Sequence, residues 1–203
     1  MRSVIRSLFT ITTVCFFVCL PVYATVVPRI SLQEMLKTAE FIFEGEVVGL
    51  DSRFQGNTGI IQTEVTFRVR DIIKGLDPGS VVRLQFMGGT VGSYTVMPSD
   101  MHIPSLGEHG IYFVKNLKAK QIHPLSGWDQ GRFLLKIDIS GQEVVTAFNG
   151  TPITAIDATV RSTNLEASSG IALGLRLGKQ GSASSMASAT FKTSLRKLLR
   201  TVQ

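Results

Sequence analysis

Residues 60–73 alternate without a break. Ile61, Thr63, Val65, Phe67 and Val69 fall on one side; Gln62, Glu64, Thr66, Arg68 and Arg70 fall on the other. Such a run is a long β-strand with one dry and one wet face, and it needs a sheet around it. Shorter segments of strand character surround it at 41–50, 81–86, 94–97 and 110–114. Residues 121–125 are a weaker candidate, and 132–139 with 143–148 read as a hairpin across Ser140-Gly141-Gln142. The loops between them are polar and glycine-rich at 52–59, 75–79 and 98–107. Helical spacing occurs only at the two ends. Ser31-Leu32-Gln33-Glu34 is a capping box that opens a short helix over 31–39. Phe191, Leu195, Leu198, Leu199 and Val202 form an apolar stripe, with Lys192, Arg196, Lys197 and Arg200 between them. The expected fold is mainly β: a small antiparallel barrel of the oligomer-binding type, with a short N-terminal helix and a C-terminal amphipathic helix. A two-sheet sandwich is the alternative.

The first 24 residues have another character. Arg2 and Arg6 precede an almost uninterrupted apolar run over 8–20, Pro21 breaks it, and Ala24 offers a small residue at a cleavage position. This is the pattern of a secretory signal peptide, and the run is short for a membrane span of about 20 residues. The expected organisation is a signal peptide over 1–24, a β-barrel domain over 25–157, a flexible Ser/Gly/Ala-rich connector over 158–189, and the amphipathic helix over 190–203. Both cysteines, Cys15 and Cys19, lie in the leader. The exported chain would then carry no disulfide, thiolate metal site or cysteine nucleophile, and would depend on its core. The expected location is secreted or periplasmic, with no transmembrane segment after cleavage.

The formal charge of +6 falls by two without Arg2 and Arg6. Basic stripes interleaved with aromatics, as nucleic-acid binding needs, are missing, so no nucleic-acid partner is expected. Gly88-Gly89-Thr90-Val91-Gly92 lacks the lysine and following helix of a phosphate loop, so its glycines read as a bulge or a barrel corner. His102, His109 and His123 show no spacing that brings two imidazoles together, so neither a metal nor a cofactor is expected. Glu44 and Glu46 share a strand face; together they are the candidate carboxylates of a hydrolase. Trp128-Asp129-Gln130-Gly131-Arg132-Phe133 contains the only tryptophan, beside an arginine, as recognition anchors often are. A tryptophan capping one end of the barrel is the other reading. The candidate binding residues are Gly88, Gly89, Tyr94, Trp128 and Arg132.

The motif set resembles a group of exported bacterial proteins of uncharacterised function, some of which accompany matrixin-like metalloproteases. It consists of Phe41-Ile42-Phe43-Glu44-Gly45-Glu46-Val47-Val48, Ile72-Ile73-Lys74-Gly75, Gly88–Gly92, Pro104 with Gly107-Glu108, and Gln130-Gly131-Arg132-Phe133. More distantly, the order of helix, strand, long alternating strand and Lys-Gly turn is similar to netrin-like domains, including tissue inhibitors of metalloproteases. That resemblance implies an oligomer-binding-type barrel and an amino-terminal residue that meets a protease zinc. Those inhibitors begin with cysteine; here Thr25 stands at the expected mature start.

The expected function is an exported, non-catalytic binding or accessory module that meets a protein through its loops, with an exported protease or a cell-envelope protein as partner. A metalloprotease inhibitor acting through Thr25 is the first alternative. A carboxylate-dependent hydrolase is the second.

Overall fold

The computed structural model describes residues 27–56, 58–118, 122–162, 167–179 and 185–202; Thr25 and the leader lie outside them. In chain order the elements are α1 (Leu32–Thr38), β1 (Phe41–Phe54), β2 (Ile61–Lys74), β3 (Val81–Met87), β4 (Gly89–Val91), β5 (Tyr94–Val96) and β6 (His109–Val114). A 3-10 turn (Trp128–Gly131) follows, then β7 (Arg132–Ile137), β8 (Glu143–Ala147), β9 (Ile153–Ile156), β10 (Leu175–Leu177) and α2 (Ser188–Val202). The chain is mainly β. Six strands form one antiparallel sheet in the order β3-β2-β1-β6-β7-β8, and β4-β5 and β9-β10 are separate pairs. Among the described residues, no ladder joins β3 to β8.

Each face of this sheet carries its own core, while the outer residues of β3, Val81, Arg83 and Gln85, stay exposed. On one face Ile42, Ile111, Phe113, Phe133 and Leu135 pack against Leu36 of α1 and Phe191 and Leu195 of α2. On the other, Phe43, Phe67 and Tyr112 pack with Val82, Leu84 and Phe86. The three rings lie 4.7 to 5.5 Å apart. This explains why 41–43 is solidly apolar: Phe41 and Phe43 serve one core and Ile42 the other. Rings and aliphatic chains of this size each contribute about 1.5–3 kcal/mol when fully buried.

The alternation of residues 61–69 holds as read, and then breaks. The β1–β2 ladder pairs Gly45 with Val69 and Glu44 with Asp71, skipping Arg70. This bulge reverses the phase of the strand. Asp71 therefore faces α2 rather than the aromatic core, and meets Lys192 Nζ at 3.1 Å and Arg196 at 2.6 Å. Half the basic residues of α2 thus point at the sheet.

Ser31 caps α1, accepting a 3.2 Å bond from the Glu34 amide. Its own amide is taken by Ser162 Oγ at 2.8 Å. The described part of 158–189, expected as a connector, ties both ends of the chain together. Leu173 donates to Ile30 O, Ser168 donates to Val27 O, and the Leu32 amide donates to Leu173 O. The C-terminal stripe folds back: Phe191, Leu195 and Leu199 are buried in the helix-covered core.

Candidate binding site

Two glycine-dependent corners place the site. At the first, Gly88 (φ 101°) and Gly89 (φ 129°) turn the chain out of β3 and fold the β4–β5 hairpin back over the sheet. A Cβ on Gly88 would lie 2.7 Å from Val96 O, and one on Gly89 would overlap Thr63 Oγ1. Thr63 Oγ1 donates to Gly88 O at 2.7 Å, so the Ser52 hydroxyl, 2.8 Å away, donates to Thr63. These glycines form a bend. Tyr94, at the hairpin tip, is 67% exposed and meets Phe54 edge-on at 6.1 Å.

The second corner is the 3-10 turn. Gly127 enters it left-handed, and so does Trp128 (φ 61°). The indole stacks on His123, centroids 5.6 Å apart and planes within 15°; Phe86 meets the same imidazole edge-on at 5.1 Å. Burial holds His123 far below its ordinary pKa, at about 3, so the ring is neutral. This ring ladder links β3, two residues before Gly88, to Trp128.

Gln130 and Arg132 point inward from the same turn. The Gln130 amide accepts from the Ile30 N–H at 2.8 Å and donates to Pro28 O at 3.0 Å and Gly127 O at 3.1 Å. It clamps the segment that leads into α1. Arg132, expected as a surface anchor, is only 6% exposed. Its register partner is Tyr112, which puts it on the aromatic face of the sheet. Nε donates to Glu108 Oε1 at 2.8 Å, Nη2 pairs with Glu108 Oε2, and Nη1 donates to His102 O at 3.0 Å. Tyr112 donates to the same carboxylate at 3.0 Å. Burial opposes the charge of Arg132, but the bonds to Glu108 outweigh it and leave the guanidinium above its ordinary pKa. Burial, with the Glu108 charge behind it, pushes the Tyr112 hydroxyl far up, so it remains a donor.

Between the 3-10 turn, loop 98–108 and the chain crossings at Val27 and Ser168 lies a cavity of about 420 Å³. Its wall includes Val27, Asp100, His102, Trp128, Phe148 and Ser168. His102 Nδ1 sits 2.6 Å from Asp129 Oδ2. Burial raises the Asp129 carboxyl, with the His102 bond acting the other way. A carboxylate behind an imidazole fixes its orientation. Asp100 (φ 59°) and Trp128 are the only non-glycine residues with positive φ among those described, and both line this cavity. Of the candidates, Trp128 is brought here and Gly88, Gly89 and Tyr94 to the first corner. Asp100, His102 and Phe148 were not singled out as binding residues, and Glu108 and Gln130 only as parts of motifs. The Asp100–His102 pair beside Pro98 was the available signal.

Glu44 and Glu46 do share a face, as read. Glu44 is buried between His109 Nε2 (2.9 Å) and Lys192, and its pKa is pulled down to about 2, chiefly by the His109 hydrogen bond. Glu46 is lowered too, first by its bond to Arg70. Neither has the raised pKa of a glycosidase acid. Among the described residues, no three His, Cys, Asp or Glu side chains group to hold a metal, and no helix is long and apolar enough to cross a membrane.

No family model, curated protein or solved structure matches the chain.

Proposed function

We propose that this chain is an exported, non-catalytic binding module that engages a polypeptide partner at the Trp128 cavity, with the Tyr94 hairpin as an accessory contact. The observation that carries the reading is the coincidence of the two left-handed non-glycine residues, Asp100 and Trp128, on one cavity wall. Such backbone costs of order 1–3 kcal/mol and persists where the surroundings impose it, typically at ligand clamps. The cavity volume is within the range of ligand pockets, roughly 300–1,000 Å³. The proposal includes a leader removed after Ala24, secretion or periplasmic location, and an exported protease or envelope protein as partner. It also includes a sheet curled toward an oligomer-binding-type barrel, as in the exported and netrin-like proteins the motifs resemble. The packing of Phe43, Phe67 and Tyr112 on one face supports that curl.

The test is capture from a cell-envelope extract by the wild type and by Trp128→Gly, which keeps the left-handed backbone while removing the ring. A discrete protein captured by the wild type and lost by the variant is expected. Equal capture by both overturns the reading.

One observation favours inhibition through the amino terminus as a second reading. Gln130 clamps Pro28 and Ile30, three and five residues after Thr25, and Val27 lines the cavity. Extending the mature chain by one residue before Thr25 should abolish inhibition of a secreted metalloprotease; unchanged inhibition, or none from the native form, removes this reading.

A further inference from the structure

The charge lining the Trp128 cavity has the opposite sign to the chain. The protein carries a formal +6, yet the charged residues of the wall are Asp100 and Asp129, and no Lys or Arg lines it among the described residues. Asp129 is 4% exposed and works through His102. Asp100 is different. It is exposed, at the rim, and makes no hydrogen bond or ion pair among the described residues. Two aromatic rings line the same cavity: Trp128, backed by His123, and Phe148, backed by His102 at 5.4 Å. An unpaired carboxylate and aromatic rings in one cavity are the chemistry that holds an organic cation, through charge and the ring quadrupoles. An anionic ligand would find no lysine or arginine in the wall among the described residues.

We propose that this cavity receives a guanidinium or alkylammonium, namely an arginine or lysine side chain projecting from the polypeptide partner, with Asp100 as the countercharge and Trp128 and Phe148 as the ring walls. The inference rests on the binding-module reading and names the chemistry of its partner. The volume of about 420 Å³ takes one long side chain with adjoining peptide groups.

Trp128 is the only tryptophan in the chain, so its emission reports on this wall alone. The experiment titrates the purified protein with a capped Ala-Arg-Ala peptide, the same peptide with citrulline in place of arginine, and agmatine as a free small cation. The arginine peptide should shift the emission saturably, and citrulline, of equal shape without charge, should bind about tenfold more weakly or worse. Asp100→Asn should weaken the arginine peptide about fivefold, the size expected for one exposed cation contact of about 1 kcal/mol. Asparagine tolerates the left-handed backbone, so its urea midpoint should match the wild type. Equal binding of the citrulline peptide, no response to either peptide at millimolar concentration, or an Asp100→Asn affinity equal to wild type overturns the proposal. Agmatine binding as tightly as the peptide overturns the assignment to a partner side chain. Capture that depends on Trp128 while the peptides fail would remove this inference and leave the module standing; peptide binding without capture would do the reverse.

Discussion

The Ile30 amide donates a 2.8 Å hydrogen bond to Gln130 Oε1 across a separation of 100 residues. The same side chain donates to Pro28 O and Gly127 O, so one buried amide joins the lead-in to α1 with the turn that carries Trp128. Gln130→Ala would leave the half-buried Ile30 donor without its acceptor, while the carbonyl of exposed Pro28 would pass to water. An unsatisfied buried group costs about 1–3 kcal/mol. Urea unfolding should show a loss of about 1–2 kcal/mol, and hydrogen exchange should show early opening at Ile30. A loss of only a few tenths would mean that water replaces the clamp.

Arg132 and Glu108 are a buried pair with Tyr112 and His102 O attached. Removing one partner of a buried pair costs about 3–5 kcal/mol, because the other charge is stranded. Arg132→Met should destabilise by that amount. Arg132→Met with Glu108→Met should recover a large part of it, although the Tyr112 hydroxyl is then left without its acceptor. A double-mutant cycle in urea measures the coupling.

Glu44 is ionised in the folded protein down to about pH 2, against 4.5 as the ordinary value. A lowered carboxyl contributes stability that is present above about 4.5 and lost as pH falls toward 2, because the unfolded chain takes up the proton first. Glu44→Gln should be less stable than wild type at neutral pH and should show a shallower loss across that window. Denaturation midpoints measured across it, with exchange protection of α2 as the local readout, would test this.

His123 behaves in the same direction for a different reason. It is held neutral by burial, at about 3 against 6.5. The unfolded chain binds a proton below 6.5 while the folded chain does not, so stability falls as pH drops from 6.5 toward 3. His123→Phe keeps a ring between Phe86 and Trp128, and removing a buried Nε2 that has no partner offsets the loss of the Nδ1 that accepts from the Leu125 amide at 3.3 Å. It should be close to neutral above pH 7 and flatten the loss between 6.5 and 3, a window that begins above that of Glu44.

Gly89→Ala and Gly79→Ala separate backbone strain from contact. Both positions have positive φ, but a Cβ at Gly79 meets nothing within 4 Å, whereas at Gly89 it would overlap Thr63 Oγ1 and come within 2.7 Å of Ser52 Oγ. Gly79→Ala should cost about 1–2 kcal/mol, the left-handed penalty alone. Gly89→Ala should cost more and expose Tyr94 and the hairpin to proteolysis.

The long alternating strand, the capped helix read over 31–39, the β7–β8 hairpin and the amphipathic closing helix could all be read from the chain, because each is a local pattern; the surface on which the closing helix docks could not. The partners of the charges could not. Lys192 meets Glu44 across 148 positions, and Asp71 reaches it only because a bulge at Arg70 reverses the strand, which no periodicity announces. Arg132 beside Trp128 suggested a surface pair. Alternation placed Arg132 on the face opposite Phe133, and that face is dry only because the aromatic core around Tyr112 covers it, which no local pattern shows. The cavity was out of reach for another reason: its wall comes from segments near 27, 100, 128, 148 and 168, joined only in space.

The tie of Leu173 to Ile30 and Leu32, with α2 packed against α1, β2 and β8, sets an order of assembly. The helix-covered core lacks Phe191, Leu195 and Leu199 until the fifteen residues of α2 arrive. Contacts this distant make folding slow. However early its sheet forms, a chain of this design leaves one face of that sheet uncovered until α2 is in place.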